Sequence, residues 1–123
     1  MNKRAVARSI AKSPRPEREL DVCTANLVFR RRPGKRERAI QTIRETVIPM
    51  LRTYDGFAGY IALYDKENSR AKAVILWETE ETAEAAEKEL VERRRQITSG
   101  IGLTVESADL YEAPIVELEA ARV

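Results

Sequence analysis

The strongest constraint on this chain is the order of its periodicities. Apolar side chains recur at every second residue in four short segments and at every third or fourth residue in two longer ones. These are the signatures of strands and amphipathic helices. Asp21 to Phe29 reads as the first strand, with Cys23, Ala25, Leu27 and Phe29 on one face and Val22, Thr24, Asn26 and Val28 on the other. Arg30-Arg31-Arg32-Pro33-Gly34 turns the chain into a helix from Lys35 to about Tyr54. Its stripe is Ile40, Ile43, Val47, Leu51 and Tyr54, and Pro49 should kink or break the last turn. Phe57 to Tyr64 is a second strand, with Phe57, Gly59, Ile61 and Leu63 facing one way and Ala58, Tyr60, Ala62 and Tyr64 the other. The polar stretch from Asp65 to Ser69 joins it to a third strand, Arg70 to Glu78, as a hairpin. Thr79 is placed to cap a second helix reaching about Gln96, with Glu80 and Glu81 at its positive end. Leu103 to Tyr111 is the fourth strand.

The order β-α-β-β-α-β specifies an α+β fold: a ferredoxin-like sandwich with both helices on one face of a four-stranded antiparallel sheet. The strands are apolar on both faces, so the uncovered face needs a partner. A second copy of the chain, sheet against sheet, is the economical cover, which makes a homodimer the expectation. A chain of 123 residues suits one domain. It divides into a basic, flexible arm (1–20), the folded domain (21–112) and a C-terminal tail (113–123) whose Ile115-Val116-Glu117-Leu118 is apolar enough to dock on a partner.

Charge separates the arm from the domain. The first 20 residues hold six Lys/Arg against Glu17 and Glu19, a net of +4; the remaining 103 hold 16 basic and 18 acidic groups, a net of −2. A nucleic-acid or other anionic partner is therefore a secondary expectation that rests on the arm. No apolar run approaches the roughly 18 residues of a membrane span, and Arg8 and Ser9 interrupt the one apolar stretch near the start, so no secretory leader is expected. Cys23 is the single cysteine, which excludes an intrachain disulfide and fits a cytoplasmic setting.

The chain contains no histidine. That removes the usual general base of nucleophilic triads and the usual ligand of zinc and haem iron. Acid–base chemistry must come from Asp, Glu, Tyr, Lys or bound water, and no metal site is expected. Asn26 is a polar side chain in an apolar strand, suited either to a structural hydrogen bond or to holding a substrate oxygen. Trp77 is either a core aromatic or a stacking surface. Tyr60, Tyr64 and Tyr111 lie on strands and are candidates to orient a phenolic substrate. Arg30, Arg31 and Arg32 form a candidate anion-binding patch, against the plain alternative of a solvated surface. Glu80, Glu81, Glu84 and Glu87 read as a solvated helix face, and Cys23 as an inert buried thiol.

Two motifs carry a resemblance. Asp55-Gly56-Phe57-Ala58-Gly59-Tyr60 resembles the P-G-F-x-G turn of the dimeric α/β-barrel superfamily, in the branch of antibiotic-biosynthesis monooxygenases, with Asp in place of Pro. Trp77-Glu78-Thr79-Glu80-Glu81 resembles that branch's W-E-S-x-E junction, with Thr in place of Ser. Asn26 resembles a polar residue that some members direct into the active cavity, and the likeness covers about residues 21–112. It implies a small monooxygenase, free of cofactors, that acts on a planar phenol or enol with O2 between sheet and helices. Asn26 would hold the substrate oxygen, Trp77 would stack, Tyr60 would assist proton transfer, and Tyr64 and Tyr111 would line the site. The family's haem-degrading members use Asn, Trp and a His ligand, and this chain has no such histidine. The alternative is a non-catalytic dimeric interaction domain that presents the basic arm to an anionic partner.

Overall fold

Four strands pair in the order β2-β3-β1-β4, all antiparallel. The computed structural model describes residues 21–119, so the basic arm lies outside the described residues. Strand β1 (Cys23–Arg31) is followed by helix α1 in three pieces: α-helix Arg36–Thr42, a π-helical turn Ile43–Val47 and α-helix Ile48–Leu51. Then come β2 (Phe57–Asp65), β3 (Arg70–Trp77), α2 (Glu80–Ser99) and β4 (Leu103–Glu112). This is the expected βαββαβ order, with α1 and α2 packed on one face of the sheet. Among the described residues no helix is long and apolar enough to cross a membrane.

Alternation decides which side chains enter the core. Cys23, Ala25, Leu27 and Phe29 of β1 and Ala71, Ala73, Ile75 and Trp77 of β3 are all buried beneath the helices. Ala39, Leu51, Ala83, Ala86 and Leu90 close over them from above. The other face has no such cover: Ile61 and Leu63 of β2 remain 41% and 46% exposed.

Two expectations are corrected. Pro49 does not break the last turn of α1. The helix widens just before it, and the Ile48 N–H bonds back to the Ile43 carbonyl, five residues earlier. A π turn makes room for a ring that has no N–H to donate and would otherwise meet the preceding turn. Helix α1 then ends at Leu51, short of Tyr54. In β2 the pairing runs Phe57↔Trp77 and then Gly59↔Leu76, which leaves Ala58 as a bulge. One extra residue reverses the alternation at that point. Phe57 therefore joins Tyr60 on the core face instead of standing with Gly59, Ile61 and Leu63.

The hairpin and the second helix start as their side chains dictate. Asp65 Oδ1 accepts the backbone N–H groups of Glu67 and Asn68 at 3.1 and 3.2 Å. The Asn68 side-chain amide donates to Asp65 Oδ2 at 2.9 Å and is the main cause that holds this carboxyl below its ordinary range. Thr79 caps α2: its Oγ1 accepts from the Thr82 N–H at 3.1 Å, and Thr82 Oγ1 accepts from the Thr79 N–H at 3.2 Å.

Gly56 ties these parts together. Its φ is +84°, and a Cβ there would lie 2.4 Å from Thr82 Oγ1 and 2.6 Å from Thr82 Cβ. Its carbonyl accepts the Glu78 N–H at 2.8 Å. Gly34 shares the positive φ, +79°, but a Cβ there would meet nothing within 4 Å. Gly34→Ala should thus cost only the backbone penalty of about 1 kcal/mol. Gly56→Ala should add the collision with the cap and cost about 3 kcal/mol or more. Urea melts of the two variants separate these costs, and equal losses would refute the steric role of Gly56.

Candidate functional site

The space between α1, α2 and the sheet holds a cavity of about 50 Å³. Its wall is apolar for the most part, supplied by residues such as Leu27, Phe29, Val47, Ile75 and Leu90. Tyr60 and Tyr64, four residues apart on the same face of β2, point into it together, and Arg94 of α2 joins them. Ala62 lies between the two tyrosines on β2 and is an exposed residue of the lining.

Burial pushes the Tyr60 phenol up to about 12, against a smaller opposing pull from the Arg94 guanidinium. Tyr60 is thus a neutral hydroxyl at any ordinary pH, a hydrogen-bond donor rather than a base. Tyr64 is held differently. The guanidiniums of Arg31 and Arg36 both lie 5.2 Å from its ring centroid.

Arg94 and Glu87 are the residues that sequence reasoning missed. The Arg94 Nη1 and Nη2 donate to the two Glu87 carboxylate oxygens at 2.9 and 2.8 Å, a bidentate pair with side chains only 10% and 14% exposed. Glu87 therefore does not belong to a solvated face. The signal was present: Arg94 falls four residues after Leu90 and three before Ile97, inside the stripe that faces the sheet. Thr98 is buried in the same wall, but its hydroxyl is already bonded to the Arg94 carbonyl at 2.8 Å.

The sheet divides the residues that the sequence reading had grouped. Tyr60 and Tyr64 line the cavity. Asn26 and Tyr111 lie on the opposite face, in a depression of about 230 Å³ with Val28, Val74 and Asp109. Asn26 follows the even alternation of β1, which points away from the helices, so it cannot reach a ligand between sheet and helices of the same chain. Its amide donates to Thr24 Oγ1 at 2.8 Å, the structural bond weighed above. Tyr111, paired with Thr24, is 58% exposed.

Trp77 is sealed. It is 0% exposed and does not line the cavity. Tyr54 and Phe57 stand edge-on to it, with centroids 6.5 and 5.9 Å away. Its indole N–H has no hydrogen-bond partner among the described residues. No substrate can stack on a ring buried in this way, so its place is that of a core aromatic.

The arginine triplet is dispersed. Arg30 pairs with Glu106 at 2.9 Å, and Arg70, directly opposite Arg30 on β3, pairs with the same carboxylate at 2.8 Å. A register shift between β1 and β4 leaves Glu106 as the extra residue, between the partners Ser107 and Val105, where it relieves two facing cations. Arg31 is fixed by the Arg70 and Asp65 carbonyls at 3.2 and 2.9 Å. Arg32 is exposed. Cys23 is buried and unpaired, and burial, ahead of the nearby Glu80, raises its thiol above the ordinary value. Among the described residues no group of three or more His, Cys, Asp or Glu is placed to hold a metal ion.

No protein-family model matches the chain, and no curated protein matches it. Solved structures do. SnoaB, a cofactor-independent oxygenase from Streptomyces nogalater, is 13% identical with a TM-score of 0.58, the match covering 80% of this chain and 99% of that one. The ActVA-Orf6 monooxygenase of Streptomyces coelicolor, solved with nanaomycin D, is 15% identical with a TM-score of 0.59, covering 80% and 92%. This chain shares the α+β fold of these two oxygenases. The NE2512 protein of unknown function from Nitrosomonas europaea shares that fold at 14% identity and a TM-score of 0.58, covering 84% and 99%. The shared fold thus fixes the scaffold and does not by itself fix the chemistry.

A spectrophotometric titration checks the cavity's electrostatics. Tyr60 should ionise near pH 12, and Tyr60→Phe should remove that late step. Because the unfolded phenol ionises first, near 10, stability is unaffected below that pH and falls as the pH rises toward 12. A late step that survives Tyr60→Phe would contradict the placement.

Proposed function

We propose that this chain is a small cytoplasmic homodimer that oxidises a phenol or enol with O2, without metal or flavin. The observation that carries the reading is the apolar cavity between helices and sheet, with Tyr60, Tyr64 and Arg94 among its lining residues. Likeness of fold to a cofactor-independent oxygenase supports it. At about 50 Å³ the closed part holds more than one water, yet is smaller than the roughly 150 Å³ cavity that encloses benzene. A ring therefore enters with its oxygen-bearing edge inside and its remainder at the β2 side, near Ala62.

The chemistry is that of the bound substrate. The phenol or enol gives its proton to solvent as it enters, and the resulting anion, with carbanion character at the reacting carbon, passes one electron to O2. Recombination of the resulting pair forms a hydroperoxide at the carbon, and loss of water from a C–H-bearing centre leaves the ketone or quinone. The chain's contribution is to hold the ring, exclude water and present donors to the oxygen. Since Tyr60 stays protonated, it donates a hydrogen bond and does not abstract the proton. In this reading Trp77 supports the wall from within the core, and Asn26 is a residue of the opposite face.

The homodimer rests on that opposite face. Ile61 and Leu63 are exposed beside the half-buried Val74, as an apolar patch on a sheet covered by helices on one side alone. A second sheet packed there removes the patch from water. Sedimentation equilibrium should give twice the 14.0 kDa chain mass, and Ile61→Arg with Leu63→Glu should give a folded monomer. A monomer from the unaltered chain at micromolar concentration overturns the dimer.

Oxygen uptake tests the activity. Hydroquinones, naphthols and enolisable ketones are to be offered to the full chain, with the quinone or ketone followed by absorbance. Uptake that matches product, abolished by Ala62→Leu, which fills the cavity from an exposed lining residue without touching the core, supports the reading. A ligand at a hundred times its Kd should also stabilise the fold by about 2.7 kcal/mol. No uptake and no thermal shift across the panel would refute it.

A further inference from the structure

We infer that Arg94, held in place by Glu87, is a specificity-determining residue of the cavity and takes an anionic oxygen of the ligand, with the Tyr60 hydroxyl as second donor. The inference deepens the reading above and rests on the cavity being a small-molecule site. It means that ionised phenols and enols are selected over neutral rings of the same shape.

A guanidinium has five N–H groups. Glu87 takes one from Nη1 and one from Nη2, which leaves the Nε–H and one hydrogen on each Nη. The planar fork is thereby locked in orientation, so little side-chain freedom is lost when a ligand binds. Arg94 lines the cavity while its side chain is only 10% exposed. In that setting charge interactions are screened far less than in water.

The rest of the wall points the same way. No Asp or Glu lines the cavity, and its charged residues are Arg94 and Lys72. Lys72 alternates to the opposite face of β3, where it is exposed, so Arg94 is the cation turned inward. At the other tyrosine, Arg31 and Arg36 lie against the ring of Tyr64 and keep that end electropositive. Tyr60 remains a hydroxyl throughout the ordinary pH range. An oxyanion set between Tyr60 and Arg94 accepts a hydrogen bond from each. A neutral ether accepts more weakly from both donors.

The test uses 4-nitrophenol, whose ionised form alone is yellow, and its methyl ether, 4-nitroanisole, each titrated into the full chain. The phenol should bind about ten- to hundred-fold more tightly than the ether. Its yellow band should grow on binding at a pH where the free phenol is mostly neutral. The double substitution Arg94→Met with Glu87→Met removes both charges without stranding a buried carboxylate, and should bring the two affinities together. Should it fail to fold, Arg94→Lys and Tyr60→Phe make the same comparison, each expected to narrow the preference. Equal affinities in the unaltered chain, with no growth of the yellow band, overturn the anion role while the cavity reading stands. If neither compound binds, or if Ala62→Leu leaves both affinities unchanged, the cavity reading fails and this inference with it.

Discussion

The structure turns on the sealing of Trp77. Its ring is fully excluded from water at the point where β3 ends, where Cys23 of β1 and Phe57 of β2 are its strand partners. An indole of that size buried completely is a large hydrophobic contribution. It also needs walls on every side. Phe57 can provide one only because the Ala58 bulge turns it inward, and Tyr54 provides another because α1 ends early enough for the chain to bend back. Gly56 then lets the backbone pass within a side chain's width of the Thr79–Thr82 cap. The two motifs of the resemblance are therefore two halves of one joint, between the end of α1 and the start of α2.

That joint sets the spacing of the layers. With the helices pinned at the Trp77 end, small side chains such as Ala71 and Ala73 on β3 leave room farther along, and the cavity occupies it. The packing that excludes Trp77 from any ligand thus leaves Tyr60 and Tyr64 accessible on the neighbouring strand. Charges follow the same division. The Arg30–Glu106–Arg70 cluster serves pairing of the strands at a bulge, while the Arg94–Glu87 pair is buried against the cavity. A buried ion pair is weak evidence for stability by itself. Of the two partners, Arg94 lies on the cavity wall.

Much of the fold was legible because it depends on local pattern. The strand faces of β1 and β3, the Asp65 hairpin and the Thr79 cap follow from period-two alternation and from side chains that bond to nearby backbone. The departures occurred where one residue changed the count. A bulge at Ala58 moved Phe57 to the core face, and Pro49 was accommodated by a π turn rather than a break. Neither is marked by composition. The site was less legible than the fold. Tyr60 and Tyr64 share the cavity, whereas Asn26 and Tyr111, grouped with them by strand pattern, lie across the sheet.

The amino-acid sequence by itself determined the order of elements, the absence of histidine-based chemistry and the faces of the strands, since each depends on residue identity and short-range spacing. Only the tertiary structure decided that Trp77 is sealed, that Asn26 and Tyr60 are on opposite sides of the sheet, and that Arg94 enters a cavity with Glu87 at its back. Those facts depend on which helix packs over which strand and on how far a bulge rotates a side chain. Contacts between residues distant in sequence set both, and no local pattern encodes them.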